Sequence, residues 1–288
     1  MSDNQSPVEV SIAPLSDVSY VRVMDYRKNT EFNQVAWQQW RDELDNELRQ
    51  DHGWLTLIAL TWLDSTPSPI AQFPGEWACD DGVVTVSVRS HDRVTLDGKP
   101  ATGTIEIPLG ADEFPRLEAG SRLAEIAPRR GRVCIRIRDN DATLRARFSA
   151  VPAWAYSDDW IIPVDFSLYD EPRTREIFTA QEGLINTMDF VGEATIELDE
   201  TTYHLAVSGE SDKPFVIFSD STGTDQSSPW RNAPLQKRGD QWVIDFNYAQ
   251  NFPAAYTPFG TCPKPVAENV LDVAIPAGHQ RPREKFAD

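Results

Sequence analysis

The stretch RLAEIAPRRGRVCIRIRD, residues 122–139, decides the fold class. It reads as two β-strands folded back on each other around Arg130-Gly131. In its second half Val133, Ile135 and Ile137 alternate with Arg132, Cys134, Arg136 and Arg138, so one face is apolar and the other basic. Working outward, VVTVSV (83–88), RVTL (93–96) and GTIEI (103–107) are short β-branched runs, punctuated by the turn signals DDG and DGK. The same style returns in EATIELD (193–199), TYHLAV (202–207), PFVIFSD (214–220) and QWVIDFNY (241–248). Strands at this regular spacing, with almost no later helix, predict sandwiches or barrels.

Before these strands, Val35, Trp37, Trp40, Leu44 and Leu48 recur at helical spacing, with polar residues on the opposite face. An amphipathic helix is therefore expected over 31–50, ended by Gly53. WLTLIALTWL (54–63) is apolar on all sides and reads as either a short buried helix or a strand pair. The fold class expected is mainly β: an N-terminal amphipathic helix followed by two β-rich halves. The divisions are a loose lead-in over 1–30, the helix plus a first β-rich domain over 31–150, and a second over 151–288. The proline-bearing run VPAWAYSDDWIIPVDF (151–166) marks the seam. The strand spacing of residues 64–150 resembles small forkhead-associated-like sandwiches.

Composition narrows the function. A net charge of −18 over 288 residues repels phosphate and argues against nucleic acid and anionic membranes as partners. No apolar run is long enough for a transmembrane helix, and the N-terminus lacks the regions of a secretory signal. The three cysteines, Cys79, Cys134 and Cys262, are odd in number and widely spaced, so a reducing cytoplasm is the expected location. The four histidines, His52, His91, His204 and His279, show no metal-ligand spacing, and no glycine-rich nucleotide motif is present. No metal and no cofactor are expected, and the oligomeric state is left open.

Against this acidic background the arginines cluster: Arg129, Arg130, Arg132, Arg136, Arg138, Arg145 and Arg147. If LRARF (144–148) is a neighbouring strand, its arginines join the same sheet face. Such a face suits bidentate binding of a carboxylate or phosphate, or it is a solvated face paired with acidic residues such as Asp139 and Asp141. SDSTGTDQSS (219–228) reads as a hydroxyl-rich turn, either a flexible loop or an anion cradle of backbone amides. The run DFNYAQNFPAAYTPFGTCPKPVAEN (245–269) is dense in aromatics and prolines. It reads as a rigid packed loop and not a central strand. Cys262 sits within it with no adjacent base, a weak candidate nucleophile.

Several of these stretches resemble the DUF1684 family of bacterial and archaeal proteins of unknown function. They are WRDELDNELRQDHGWLTLIALTWL (40–63), RGRVCIRIRDNDATLRARF (130–148), FVIFSDSTGT (215–224), residues 245–269 and VAIPAGHQR (273–281). The resemblance covers residues 37–281. It implies that Asp220, Thr222, Gly223, Asp245, Phe246, Asn247, Asn251, Cys262, Pro263, Glu268 and Asn269 occupy the family's motif positions. This chain departs from the pattern in lacking a tyrosine after Thr222-Gly223, in carrying Ala254 at a frequent cysteine position, and in placing His279 where glutamate is usual.

Residue reading and resemblance together lead to an expected small-molecule site between the halves. Its ligand-binding side chains would be Trp54, Arg136, Arg138, Thr222, Arg231, Asn247 and Asn269. A small acid is the expected ligand. If chemistry follows, it would be cofactor-independent acid–base or hydrolytic chemistry with Glu268, Asp220 or His279 carrying protons. The alternative is a noncatalytic protein–protein interaction module.

Overall fold

The computed structural model describes residues 34–110 and 114–286. The lead-in expected over 1–30, and the helix positions before Gln34, lie outside the described residues. Helix α1 (Gln34–Arg49) buries Trp37, Trp40 and Leu48 on one face, as the helical spacing requires. The apolar run after Gly53 takes both of its expected forms in part: a single 3-10 turn (Trp54–Thr56) leads into strand β1 (Leu57–Trp62).

Nine further strands complete the first β unit. They are β2 (Ser68–Ile70), β3 (Phe73–Asp80), β4 (Val83–Val88), β5 (Thr95–Leu96), β6 (Lys99–Pro100), β7 (Gly103–Pro108), β8 (Leu117–Ala119), β9 (Arg122–Arg129) and β10 (Arg132–Asp139). They form two sheets, one in the order β1-β10-β9-β8-β5-β6 and the other β2-β3-β4-β7. The inner faces meet in a core of Trp77, Val84, Val86, Leu117, Ile135 and Ile137, among others. The decisive hairpin forms as expected: Arg132 pairs with Arg129, and register runs through to Asp139 opposite Arg122. Arg130 and Gly131 both have positive φ, 44° and 76°, the requirement of a type I′ turn that matches strand twist.

LRARF is not a strand. Helix α2 (Thr143–Arg147) occupies that position, and Arg145 is drawn instead to Asp51 and to the carbonyls of Arg49 and Asn140. The alternation that suggested a strand spans only a few residues, too few to separate the two periods.

The second β unit consists of β11 (Ile161–Phe178), β12 (Ile185–Leu198), β13 (Thr201–Glu210), β14 (Lys213–Phe218), β15 (Arg231–Arg238) and β16 (Gln241–Asp245). Each pairs with the next around the ring β14-β13-β12-β11-β16-β15, and β15 pairs back to β14, so the sheet closes into a six-stranded barrel. Closure removes sheet edges. The interior holds Ala194, Ile196, Val207, Val216, Phe218, Ala233, Leu235, Ile244 and Phe246. The run read as a seam thus ends inside β11, and β15 carries no β-branched run to announce it. A two-residue strand, β17 (Gln250–Asn251), adds to β15 before the chain leaves as a packed loop. No described helix is long and apolar enough to cross a membrane.

Candidate functional site

A cleft of about 470 Å³ opens where the two β units meet. One wall comes from the first unit. In β9 and β10 the register sets Glu125 opposite Arg136 and one step diagonal from Arg138. Arg136 donates through Nη2 to Glu125 Oε1, and Arg138 donates through Nε to Glu125 Oε2 at 2.7 Å. Both arginine side chains are nine-tenths or more buried, and the shared carboxylate is 30 % exposed. Burial works against the Glu125 charge, but Arg136 and Arg138 outweigh it and hold the carboxyl below its usual range. Two guanidinium groups on one carboxylate leave a net positive floor.

Arg138 is fixed further by Nη1, which donates to the Gly53 carbonyl at 2.9 Å, and by the Trp54 ring, 4.7 Å from its guanidinium carbon. The end of α1 therefore docks on the arginine strand, and Trp54 roofs the guanidinium. Among the described residues, none accepts from Arg138 Nη2. Leu44, Leu48 and Leu123 line the cleft with it, and His52, Asp51 and Arg116 stand at the mouth.

The opposite wall belongs to the barrel. Asn232 in β15, Gln250 and Asn251 in β17, and Phe252, Pro253 and Tyr256 line it. Gln250 donates through Nε2 to Asn232 Oδ1 at 3.0 Å, which locks both amides. Asn251 donates its side-chain N–H to the Gln280 carbonyl at 2.8 Å and its backbone N–H to His279 Nδ1 at 3.2 Å.

Of the residues expected to form a site, Trp54 and Arg138 line this cleft, and Arg136 braces it from behind through Glu125. The others, except the surface residue Glu268, gather in three buried clasps or pack against them. In the first, Arg231 is fully buried. Its Nη1 donates to the Ala277 and His279 carbonyls, and its Nη2 donates to the Ile275 carbonyl and to Asp220 Oδ1, both at 3.0 Å. Both terminal nitrogens are thereby used within the protein. Asp220 also accepts from the Ile275 N–H at 2.8 Å and from the Thr222 hydroxyl at 2.7 Å. The turn at 219–228 is thus neither flexible nor an open cradle: Thr222, Ser227 and Ser228 are buried, and Arg281 grips the carbonyls of Gly223, Thr224 and Ser227. Gly278 closes the clasp, because a Cβ there would meet the Ala249 carbonyl oxygen at 2.4 Å.

His279 is buried against Trp40, with ring centroids 5.6 Å apart. Burial, with Arg41 and Arg231 nearby, pushes its imidazole down to about 3, so it is neutral at physiological pH. It stands one step behind the cleft wall and holds Asn251 in place.

The second clasp is Asn247. Its side chain accepts from the Ser157 N–H and donates to the Ser157 carbonyl and Asp245, while its own carbonyl accepts from Trp37 Nε1 at 2.8 Å. The third is Asn269, whose amide accepts from the Ala206 N–H and donates to the Ala206 and Ile217 carbonyls at 2.8–2.9 Å. It stands in for a strand residue between β13 and β14. Glu268, beside it, points away to Arg175 on the surface, in a two-point pair at 2.7 and 3.2 Å. Hydrogen bonds from Arg175 hold its carboxyl below the usual range.

Cys262 is buried and its thiol is pushed up to about 12 by desolvation, which removes the thiolate a nucleophile needs. Among the described residues, no three His, Cys, Asp or Glu side chains gather in a metal-ligand group.

Glu125, Asn232 and Gln250 were missed as site residues, and Asn251 entered only through the family pattern. Glu125 was within reach of the sequence, since a two-residue turn at 130–131 fixes 125 opposite 136. Nothing local announces that β17 will return to the arginine strand.

The fold and cleft define a two-unit β protein with a polar–apolar groove where the units meet. Residues 146–280 match the family model described as "Protein of unknown function (DUF1684)", so the family resemblance holds over the barrel and its clasps. The stretch at 40–63 and nearly all of 130–148 lie outside that match. A solved solution NMR structure, an uncharacterized protein of Haloarcula marismortui, is 24% identical over 47% of this chain and 78% of its own, with a TM-score of 0.39. No curated protein matches the chain.

Proposed function

We propose that this protein binds a small acidic molecule in the cleft between sandwich and barrel, in the cytoplasm. The carrying observation is Arg138: desolvated, fixed on two sides, and with Nη2 not engaged by any described residue. A guanidinium held this way is preorganised for a carboxylate, and Trp54, Phe252 and Leu123 offer an apolar wall beside it. The overall negative charge favours a small ligand over a polyanion. All three cysteines are free, which suits a reducing compartment.

The same observations favour binding over turnover. Of the three proton carriers suggested by sequence, Asp220 is committed to a clasp, His279 is neutral behind the wall, and Glu268 faces the surface. Glu125, the carboxylate that is in the wall, is held ionised by two arginines and is a poor base. The interaction-module reading draws on one feature, the cross-strand pair Phe178 and Ile185, 70 % and 37 % exposed.

The test is thermal stabilisation by a panel of small carboxylic acids, run on the wild type and on Leu123→Trp, which fills the cleft. A ligand at a hundredfold its dissociation constant adds about 2.7 kcal/mol, a rise of roughly 5 °C or more. The expected result is a rise for at least one acid, absent in Leu123→Trp. An unresponsive panel, or an equal rise in the filled variant, overturns the reading.

A further inference from the structure

The cleft is larger and more apolar than an acid of a few atoms needs. Its volume of about 470 Å³ falls in the range that houses a drug-sized ligand, whereas Arg138 Nη2 answers a single carboxylate. Leu123 pairs directly with Arg138 across β9 and β10, so apolar surface begins beside the anion anchor. Leu44 on α1 and Trp54 in the turn before β1 continue that surface, and Phe252 lines the barrel side. Leu44, Trp54 and Leu123 are each half-buried, so each keeps apolar surface in contact with water. Covering such surface with an apolar body is favourable in proportion to the area buried. The charges of the walls then limit what else the ligand carries. At the floor, Arg136 and Arg138 share Glu125. At the mouth, Arg116 is paired with Glu118 at 2.7 Å and Asp51 with Arg145 at 2.5 Å. Glu47 adds a further negative charge to the lining. Among the described Arg, Lys, Asp and Glu side chains of these walls, the one positive charge without a matching carboxylate therefore lies deep, on the arginine strand.

Resting on the reading that the cleft takes a small acid, we infer that the ligand is an amphipathic monocarboxylate: an alkyl or aryl body bearing one negative charge. Its carboxylate meets Arg138 Nη2, and its body lies along Leu123, Leu44, Trp54 and Phe252. A second carboxylate at the far end would rest on apolar surface beside an acidic rim. It would lose hydration and find no unmatched cation, which is a net cost. The cleft thus selects for apolar length and against a second charge.

The test uses the full chain and calorimetry with straight-chain monocarboxylates from butanoate to octanoate and with phenylpropanoate. Each straight-chain acid is compared with the diacid of equal length, and every acid with its neutral carboxamide. The expected result is an affinity that rises about threefold to fourfold per methylene until the cleft is filled. Each diacid and each carboxamide should bind about tenfold or more weakly than its monocarboxylate. Leu123→Ser should weaken octanoate more than butanoate, a difference that lost folding stability alone would not produce. If that variant does not fold, the ligand series on the wild type still decides. A series flat in chain length, or a diacid that binds as tightly as its monocarboxylate, overturns this inference but leaves the acid site standing. Equal weakening of butanoate and octanoate in Leu123→Ser places the chain elsewhere and overturns it as well. Equal binding of acid and carboxamide overturns both readings. No binding by any of these monocarboxylates, when other acids stabilise the protein, overturns this inference alone.

Discussion

Arg231 and Asp220 form an ion pair with no contact to water: Nη2 to Oδ1 is 3.0 Å, and the two side chains are 0 % and 1 % exposed. The arginine's other three terminal N–H groups bind carbonyls of residues 275–279, so the pair staples the C-terminal segment to the barrel wall. Removing one partner leaves a buried, uncompensated charge. Arg231→Met is expected to lose about 3–5 kcal/mol of unfolding free energy, read from urea denaturation. A loss below about 1 kcal/mol contradicts the clasp.

His279 makes stability depend on pH. Its pKa falls from an ordinary 6.5 to about 3 in the folded protein, so between those values the unfolded chain binds the extra proton. Stability from this residue is therefore complete above pH 6.5 and declines as pH falls toward 3, by up to about 1.4 kcal/mol per pH unit. His279→Asn keeps an acceptor for the Asn251 N–H but cannot titrate. Urea unfolding from pH 7 to pH 5 should show a steeper loss in the wild type than in the variant. Parallel lines contradict the buried neutral imidazole.

Glu268 and Asn269 are neighbours with opposite expected behaviour. Glu268 makes an exposed pair with Arg175, worth about 0–1 kcal/mol, so Glu268→Gln should leave stability within that range. Asn269→Ala removes three buried hydrogen bonds and strands their backbone partners. A loss of about 3 kcal/mol or more is expected by chemical denaturation. Equal effects for the two contradict their assignment as surface pair and clasp.

The thiols offer a direct check on Cys262. Burial pushes Cys262 up to about 12 and Cys134 up to about 11, whereas Cys79 is only half-buried. A small maleimide at pH 8 should label Cys79 first. Cys134 and Cys262 should react only as fast as the protein opens. Rapid labelling of Cys262 in the native state contradicts its role as a packed core residue.

The β fold was legible because its strands alternate cleanly and its turns carry glycine at positive φ, as at Gly131. Strand β11 was hidden because Pro163 and Pro172 interrupt it and its side chains from Asp165 to Glu176 are largely exposed, so no burial period marks it. Strand β15 was hidden for the opposite reason: Arg231, Asn232 and Gln236 are buried polar residues, which no hydropathy pattern assigns to a barrel wall. Arg138 stood out because a basic strand face in an acidic chain is unusual, a pattern that does not mark Trp54 in the turn before β1. That Asp220, Arg231 and His279 serve packing is a matter of tertiary partners 44 to 55 residues away, as with Ile275 on Arg231 and Asp220. Sequence names the polar residues and leaves their burial unspecified.

The most direct test of the cleft as a ligand site is equilibrium calorimetry of the most stabilising acid against the wild type and Leu123→Trp. The account predicts one-to-one binding to the wild type and at least about tenfold weaker binding to the filled variant, with the thermal midpoints of the free proteins within a few degrees of each other. Equal affinity for both proteins places the ligand elsewhere and contradicts the account.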